Sequence, residues 1–326
     1  MSEEPFFVVG YPRSGTTLLR FMLASHPRLF IPGETGFIPF LRVPPDRPLA
    51  RRDVWRVTRR IAHLNREWQD AVAEPPALED ALVDPRLGEL IDVLFRRRMR
   101  GTGAVRWGDK TPLYVLHIPT LAAIFPTARF IHLVRDGRDV AASAIAKWGR
   151  RFPQRLYLDE AYALLRWAQA VRRGRAAARL LDSGRCLEIR YEDLVQQTAA
   201  SLRTVCDFLG EELHPDMLAH ERLARRVDAA DGHVEVREPT SAARVGRWRA
   251  DLSPAGAWTA DRMLGPLLEE LGYERPPVGR PSAAAQGILI ARLARYLAVR
   301  GAQRVLEALG RAPLSRDKRA RRRRPA

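Results

Sequence analysis

Gly10 and Gly15 bracket four residues within FFVVGYPRSGTTLLRFML, Phe6 to Leu23, between a strand-like apolar run and a helical pattern. Consecutive backbone N–H groups at such a glycine turn, opening onto a helix N-terminus, form an anion site with the helix dipole behind it. Ser14, Thr16 and Thr17 add hydroxyl donors, and Arg13 places a cation inside the loop. In ATPases and GTPases a lysine follows the second glycine and reaches the outer phosphates of a magnesium-bound triphosphate. Here that position is Thr16. The spacing therefore predicts one phosphate in the cradle and no magnesium-bridged triphosphate. A plain strand–turn–helix junction, or a kinase-like nucleotide site, is the competing reading of the loop alone.

A second segment, ARFIHLVRDGRDVAASAIAKWG, puts Arg135 at the end of an apolar strand with a helix directly after it. Asp139, Ser143 and Lys147 recur every four residues and so share one helical face. A planar guanidinium, a hydroxyl and an ammonium together suit a second, separate phosphate. The bland alternative is a solvated helix face.

Positioning these groups requires several strands that end at one edge. Short β-branched runs alternate with helical patterns, which reads as α/β: a P-loop-type three-layer fold with a central, mainly parallel sheet flanked by helices. Strands are expected at Phe6–Val9, Ala104–Trp107, Arg129–Val134 and Cys186–Ile189. Helices are expected at Thr16–Ser25, Leu113–Ile124, Arg138–Trp148 with Asp136 as N-cap, within Leu158–Leu181, and at Leu194–Leu209 and Ser253–Leu271. Arg51–Val72 and Leu78–Arg100 read as a helical insertion, and Val227–Arg247 as a loop over a site. The Pro/Gly-rich stretch from Glu274 marks a linker, dividing a domain at 1–275 from a tail at 276–326. In that tail Ile290, Leu293, Leu297 and Val305 share one face of an amphipathic helix, before the basic end RDKRARRRRPA.

Taken together, YPRSGTT and RDGRDVAAS resemble the sulfotransferase family, enzymes that use 3′-phosphoadenosine 5′-phosphosulfate (PAPS). The first is similar to the family's 5′-phosphosulfate loop, and the second to its 3′-phosphate motif, with Arg135 and Ser143 at the family's spacing. LEIRYEDLVQQTAASLRTVCDFLG is similar to the family's next strand–helix element, with Tyr191 in the nucleotide-contacting position. RVGRWRADL, Arg244–Leu252, resembles the late motif that closes over the cofactor, and Ser241, just before it, and Arg247, within it, are expected cofactor contacts. The likeness runs over about residues 5–275 in the family's order. It implies PAPS as co-substrate, an acceptor hydroxyl on a metabolite, sugar, lipid or peptide tyrosine, and no metal. A donor with single phosphates at two positions has no need of the missing lysine.

In-line sulfuryl transfer needs stabilisation of the leaving phosphate oxygen and a base for the acceptor proton. Arg13 and the loop N–H groups take the first duty. Lys110, in GDKTP, matches the family lysine that contacts the leaving group or the sulfuryl oxygens; a surface pair with Asp109 is the alternative. Many cytosolic members place a histidine two residues further on, but here Pro112 stands there. The segment SHPRLFIPGETGFIPFL instead resembles protein-tyrosine and polysaccharide sulfotransferases, whose base is a glutamate at this point; here it is Glu34. Phe30, Phe37 and Phe40 nearby would give it partial burial. His117 and His26 are reserve bases, and His132 reads as core.

Composition bounds the rest. The 326 residues are 46% hydrophobic with a formal net charge of +17. From Pro276 onward 13 basic residues face two acidic ones, a surplus of 11, leaving 17 − 11 = +6 for the domain. That suits an anionic ligand and makes no case for nucleic acid. Three of the 55 basic residues are lysines, so a lysine is more informative than an arginine. The basic tail is read either as peripheral contact with an anionic membrane or as a helix packed on the domain with a solvated, disordered basic end. The acidic start and two unframed cysteines, Cys186 and Cys206, suggest a cytoplasmic protein with reduced thiols.

Overall fold

The computed structural model describes residues 4–41, 43–72, 85–149, 159–226 and 234–288, with scattered positions up to 301. β1 (Phe6–Gly10), a fully buried FFVVG run, lies at the centre of a five-stranded sheet. Such an unbroken apolar run fits a strand covered on both faces. Around it stand β2 (Leu29–Phe30), β3 (Arg106–Lys110), β4 (Arg129–Val134) and β5 (Cys186–Arg190), in the order β2-β3-β1-β4-β5. Every pairing is parallel, with Val8 opposite Lys110 on one side and Val9 opposite His132 on the other. Three expected strands match to within a residue, the one expected at Ala104–Trp107 instead runs Arg106–Lys110 and so ends on Lys110, and the two-residue β2 is an addition.

Helices cover both faces, giving three layers. They are α1 (Thr16–Ala24), α2 (Arg51–Leu64), α3 (Leu87–Met99), α4 (Ile118–Ile124), α5 (Gly137–Ala144), α6 (Glu160–Ala178), α7 (Tyr191–Gln196), α8 (Thr198–Leu209), α9 (Glu221–Arg226), α10 (Trp248–Asp251) and α11 (Pro254–Glu270). Alternation along β1 splits the core. Phe6 and Val8 pack with Leu19 and Met22 of α1 and Leu202 and Val205 of α8. Phe7 and Val9 pack with α3 and α6 on the other side. There Phe7 meets Trp107 edge-on at 6.0 Å and stacks on Phe130 at 5.5 Å.

Several boundaries differ from the expected ones for identifiable reasons. The helix expected at Leu113–Ile124 is a 3₁₀ turn, Pro112–Leu116, followed by α4, because Pro119 lacks the N–H that would carry the helix through. Leu194–Leu209 breaks at Gln197 into α7 and α8. The helix after Asp136 is α-helical only to Ala144, and Ile145–Gly149 form a π turn. Asp136 does cap it, accepting from Arg138 N at 2.9 Å. The first part of Leu78–Arg100 and of Val227–Arg247, together with the end of the amphipathic tail helix and the basic terminus, lie outside the described residues. No helix among the described residues is long and apolar enough to cross a membrane.

Candidate active site

Because all five strands are parallel, their carboxyl ends deliver side chains to one edge, at the point where the strand order reverses about β1. β3 delivers Lys110, β1 the loop of residues 11–15, β4 Arg135 and β5 Tyr191.

The loop is a compact turn, closed by Ser14 N donating to Tyr11 O at 3.1 Å. Arg13 has φ 76°, a left-handed conformation that a non-glycine residue adopts at a cost of roughly 1–3 kcal/mol. Gly15 has φ 95°, and a Cβ there would lie 2.4 Å from the Tyr191 ring. The first turn of α1 then presents Thr16 and Thr17. Ser14 is 1% exposed, and its hydroxyl has no hydrogen-bond partner among the described residues.

Arg135 is 6% exposed and fixed on three sides. Its Nη1 donates to Arg13 O at 3.2 Å, and Nη2 to Arg244 O at 2.6 Å. Its guanidinium lies 4.3 Å from the Tyr191 ring centroid. Nε is buried without a hydrogen-bond partner among the described residues. Two buried, unsatisfied donors, Ser14 Oγ and Arg135 Nε, thus sit in the two segments expected to hold phosphates, which is the complement an anionic ligand requires.

The stripe Asp139, Ser143, Lys147 does not act as one face. Asp139 accepts from Gly246 N at 2.8 Å and Trp248 N at 2.7 Å, fastening the late segment to α5. Ser143 Oγ accepts from Arg13 Nε at 3.0 Å, so the two cradles meet at Arg13. Lys147 falls in the π turn, where the fourfold spacing no longer holds.

Arg13 is half-buried. Burial lowers its pKa most, Glu235 opposes that, and Arg135 and Arg244 push it further down. Glu235 is the exposed carboxylate facing these cations, and the buried Asp139 lies 3.7 Å from Arg135 Nη2. Burial works against its charge, but its own backbone N–H and then Arg13, Arg244 and Lys147 favour it, so its pKa is held below the usual range. Burial raises the Tyr191 pKa against the pull of Arg135 and Arg244, which keeps the phenol protonated.

On the other side of the loop, Lys110 Nζ donates to Glu34 Oε1 at 2.6 Å and to Thr17 Oγ1 at 3.3 Å. The Lys110 side chain is 3% exposed and that of Glu34 46%, so the pair has a buried cation and a carboxylate facing solvent. Phe37 packs into the core against Trp68, and Phe40 is exposed beside His117. The surroundings of Glu34 are therefore an ion pair and not the apolar pocket expected. Asn65, at the end of α2, donates to Glu34 O at 2.9 Å and Thr35 O at 3.2 Å.

Of the expected residues, the structure brings together Arg13, Ser14, Gly15, Thr16, Thr17, Lys110, Glu34, Arg135, Ser143 and Tyr191. Ser241 accepts from Ala243 N at 3.2 Å, and Arg247 pairs with Asp251 at 3.0 Å with its side chain half exposed. Three contributors escaped the sequence reading: Arg244, Glu235 and Asn65. Arg244 opens the RVGRW motif and was legible there. His26 is engaged with Glu212 O and Arg28 N, and His132 is core, 3.3 Å from Glu188.

With this geometry in place, comparison with known proteins is informative. The sulfotransferase family model matches residues 5–215. Protein-tyrosine sulfotransferase 1 of Danio rerio is 29% identical over 288 residues, covering 84% of this chain and 75% of that protein. Protein-tyrosine sulfotransferase A of Caenorhabditis elegans is 27% identical over 309 residues, covering 92% and 75%. The sulfotransferase domain of the Synechococcus PCC 7002 olefin synthase superposes with a TM-score of 0.59 at 26% identity, over 84% of this chain and 97% of that domain. The chain belongs to the sulfotransferase family, and it is an enzyme of the transferase class.

Proposed function

We propose that the chain moves the sulfuryl group of PAPS to an acceptor hydroxyl, with Glu34 as general base. The observation that carries this reading is the line Glu34–Lys110–Thr17, in which carboxylate, ammonium and phosphate-loop hydroxyl follow one another at 2.6 and 3.3 Å. Ser14, Gly15, Thr16 and Thr17 hold the 5′-phosphosulfate. Arg135 and Ser143, with Arg244 and Lys147, hold the 3′-phosphate, and Tyr191 lies against the nucleotide. Arg13 and Lys110 stabilise charge growing on the leaving oxygen. Glu34 takes the acceptor proton as the oxygen attacks sulfur in line with the breaking S–O bond.

The acceptor is a tyrosyl peptide with acidic flanks. Two relatives are named for protein tyrosine. The helix α2, whose C-terminal end reaches Glu34 O through Asn65, exposes Arg51, Arg52, Arg56 and Arg59 around the exposed Trp55, with Arg59 4.5 Å over its ring. We also place the boundary of the catalytic unit near residue 275.

A transfer assay with radiolabelled PAPS, run on acidic tyrosyl peptides and a mixed hydroxyl library, tests the function. Sulfation is expected, and no transfer to any acceptor would leave a nucleotide-binding protein without the chemistry. Binding gives a separate check. PAPS or 3′,5′-ADP is expected to raise Tm without magnesium, since binding at a hundredfold excess over Kd stabilises the folded chain by about 2.7 kcal/mol. A shift seen only with Mg·ATP would favour a kinase-like site. Glu235→Gln, by removing a carboxylate among the cradle cations, is expected to tighten 3′,5′-ADP binding about two- to fivefold. Weaker binding in calorimetry would show that Glu235 organises the cradle.

A further inference from the structure

The segment that carries Glu34 is held from beneath by hydroxyls gathered around a buried carboxylate. Asp109 is 0% exposed, one residue before Lys110 in β3. Its Oδ1 accepts from Thr111 Oγ1 at 2.9 Å, and its Oδ2 from the Thr35 hydroxyl. The Tyr114 hydroxyl lies 2.7 Å from Thr35 Oγ1 and accepts from Ile38 N at 3.0 Å. Thr111 Oγ1 accepts from Gly36 N at 3.3 Å. Thr35 has a single proton to donate, and Asp109 receives it. Tyr114 must therefore donate to Thr35, which orients the chain from Tyr114 through Thr35 to Asp109.

These contacts knit residues 35–38 to residues 109–114. Successive side chains of a strand point to opposite faces, so Asp109 pointing into the hydroxyl cluster sends Lys110 toward the loop. Across from them, Thr35 enters the cluster and its neighbour Glu34 meets Lys110. Burial pushes the Asp109 pKa up to about 7, against hydrogen bonds from Thr35 and Thr111. Glu34 raises it further, Lys110 lowers it, and Tyr114 is the other titratable group in contact. A buried carboxylate at this cost is not needed to close a core, since an apolar residue of like volume would do so.

We propose that Asp109 and Thr35 are positioning residues for sulfuryl transfer: the Asp109–Thr35–Tyr114 hydroxyl clamp sets where the Glu34 carboxylate stands relative to Lys110. This rests on the reading of Glu34 as base. Transfer demands that base, acceptor oxygen and cation hold one geometry, and a displacement of about 1 Å can cost about 10²-fold in rate. Thr35, Asp109 and Tyr114 are buried, so the clamp acts through Glu34 and Lys110.

The test measures single-turnover transfer from radiolabelled PAPS to an acidic tyrosyl peptide, with 3′,5′-ADP affinity by calorimetry, in the full chain. Thr35→Val keeps the shape and removes the hydroxyl. It is expected to slow transfer about 30-fold with nucleotide Kd within about twofold, and Thr35→Ser is expected to restore the rate. Tyr114→Phe removes only the far end of the chain, is expected to cost about three- to tenfold, and reports on the clamp if Thr35→Val does not fold. Rates within about threefold of wild type in both Thr35→Val and Tyr114→Phe would overturn the proposal. So would equal losses of rate and nucleotide affinity that Thr35→Ser fails to rescue, since that pattern marks a merely structural role. Glu34→Gln run alongside separates the two failures. Full turnover there refutes the base, whereas a dead Glu34→Gln beside an active Thr35→Val refutes the clamp.

Discussion

Glu34→Gln is expected to lower turnover by about 10²-fold or more while leaving nucleotide affinity unchanged, as removal of a general base does. The substitution is close to isosteric. The Gln carbonyl can still accept from Lys110 Nζ, which Glu34 Oε1 does at 2.6 Å, so the ammonium keeps its place beside Thr17. The change removes the proton affinity and the negative charge of the ion pair with the buried Lys110, while the half-exposed side chain keeps its size and its hydrogen bond. Single-turnover transfer and calorimetry with 3′,5′-ADP check the two halves separately. Near-normal turnover would hand the role to another base. His117 is then the candidate: it is half-buried beside Phe40, and burial, with Arg173, lowers its pKa and keeps it neutral.

Arg135→Ala is expected to weaken 3′,5′-ADP binding by about 10- to 10²-fold, while adenosine 5′-phosphate binding changes much less. That range corresponds to one charge-assisted hydrogen-bonding site, about 1.5–3 kcal/mol. Arg135 also supports the backbone at Arg13 O and Arg244 O, so a general loosening will accompany the specific loss. The informative quantity is therefore the ratio between the two nucleotides, measured in one buffer. A ratio unchanged from wild type would mean that Arg135 holds the loop and not the 3′-phosphate.

The central strands were legible because burial on both faces demands continuous apolar runs, and FFVVG and RFIHLV supply them. β2 was not, since two residues carry no periodicity. The loop was read from glycine spacing, and Arg13 and Gly15 do take the left-handed conformations that such a turn needs. Within the Asp139, Ser143, Lys147 stripe the part played by Asp139 was not legible, because periodicity says which residues share a face and nothing of what each meets. Asp139 found backbone N–H groups a hundred residues away. Arg244 was passed over because arginine is so abundant in this chain that no single one stood out. Asn65 and Glu235 belong to helical and polar segments whose approach to the site is tertiary information.

Arg13, Arg135, Arg244 and Lys147 converge with two carboxylates, Glu235 and Asp139, among them. A cleft with that imbalance attracts any small oxyanion, including the sulfate and phosphate of ordinary buffers. Rates recorded in phosphate buffer will understate the enzyme through competition for the cradle. Donor capture will slow as ionic strength rises and the Debye length shortens from about 10 Å at 0.1 M toward 3 Å at 1 M.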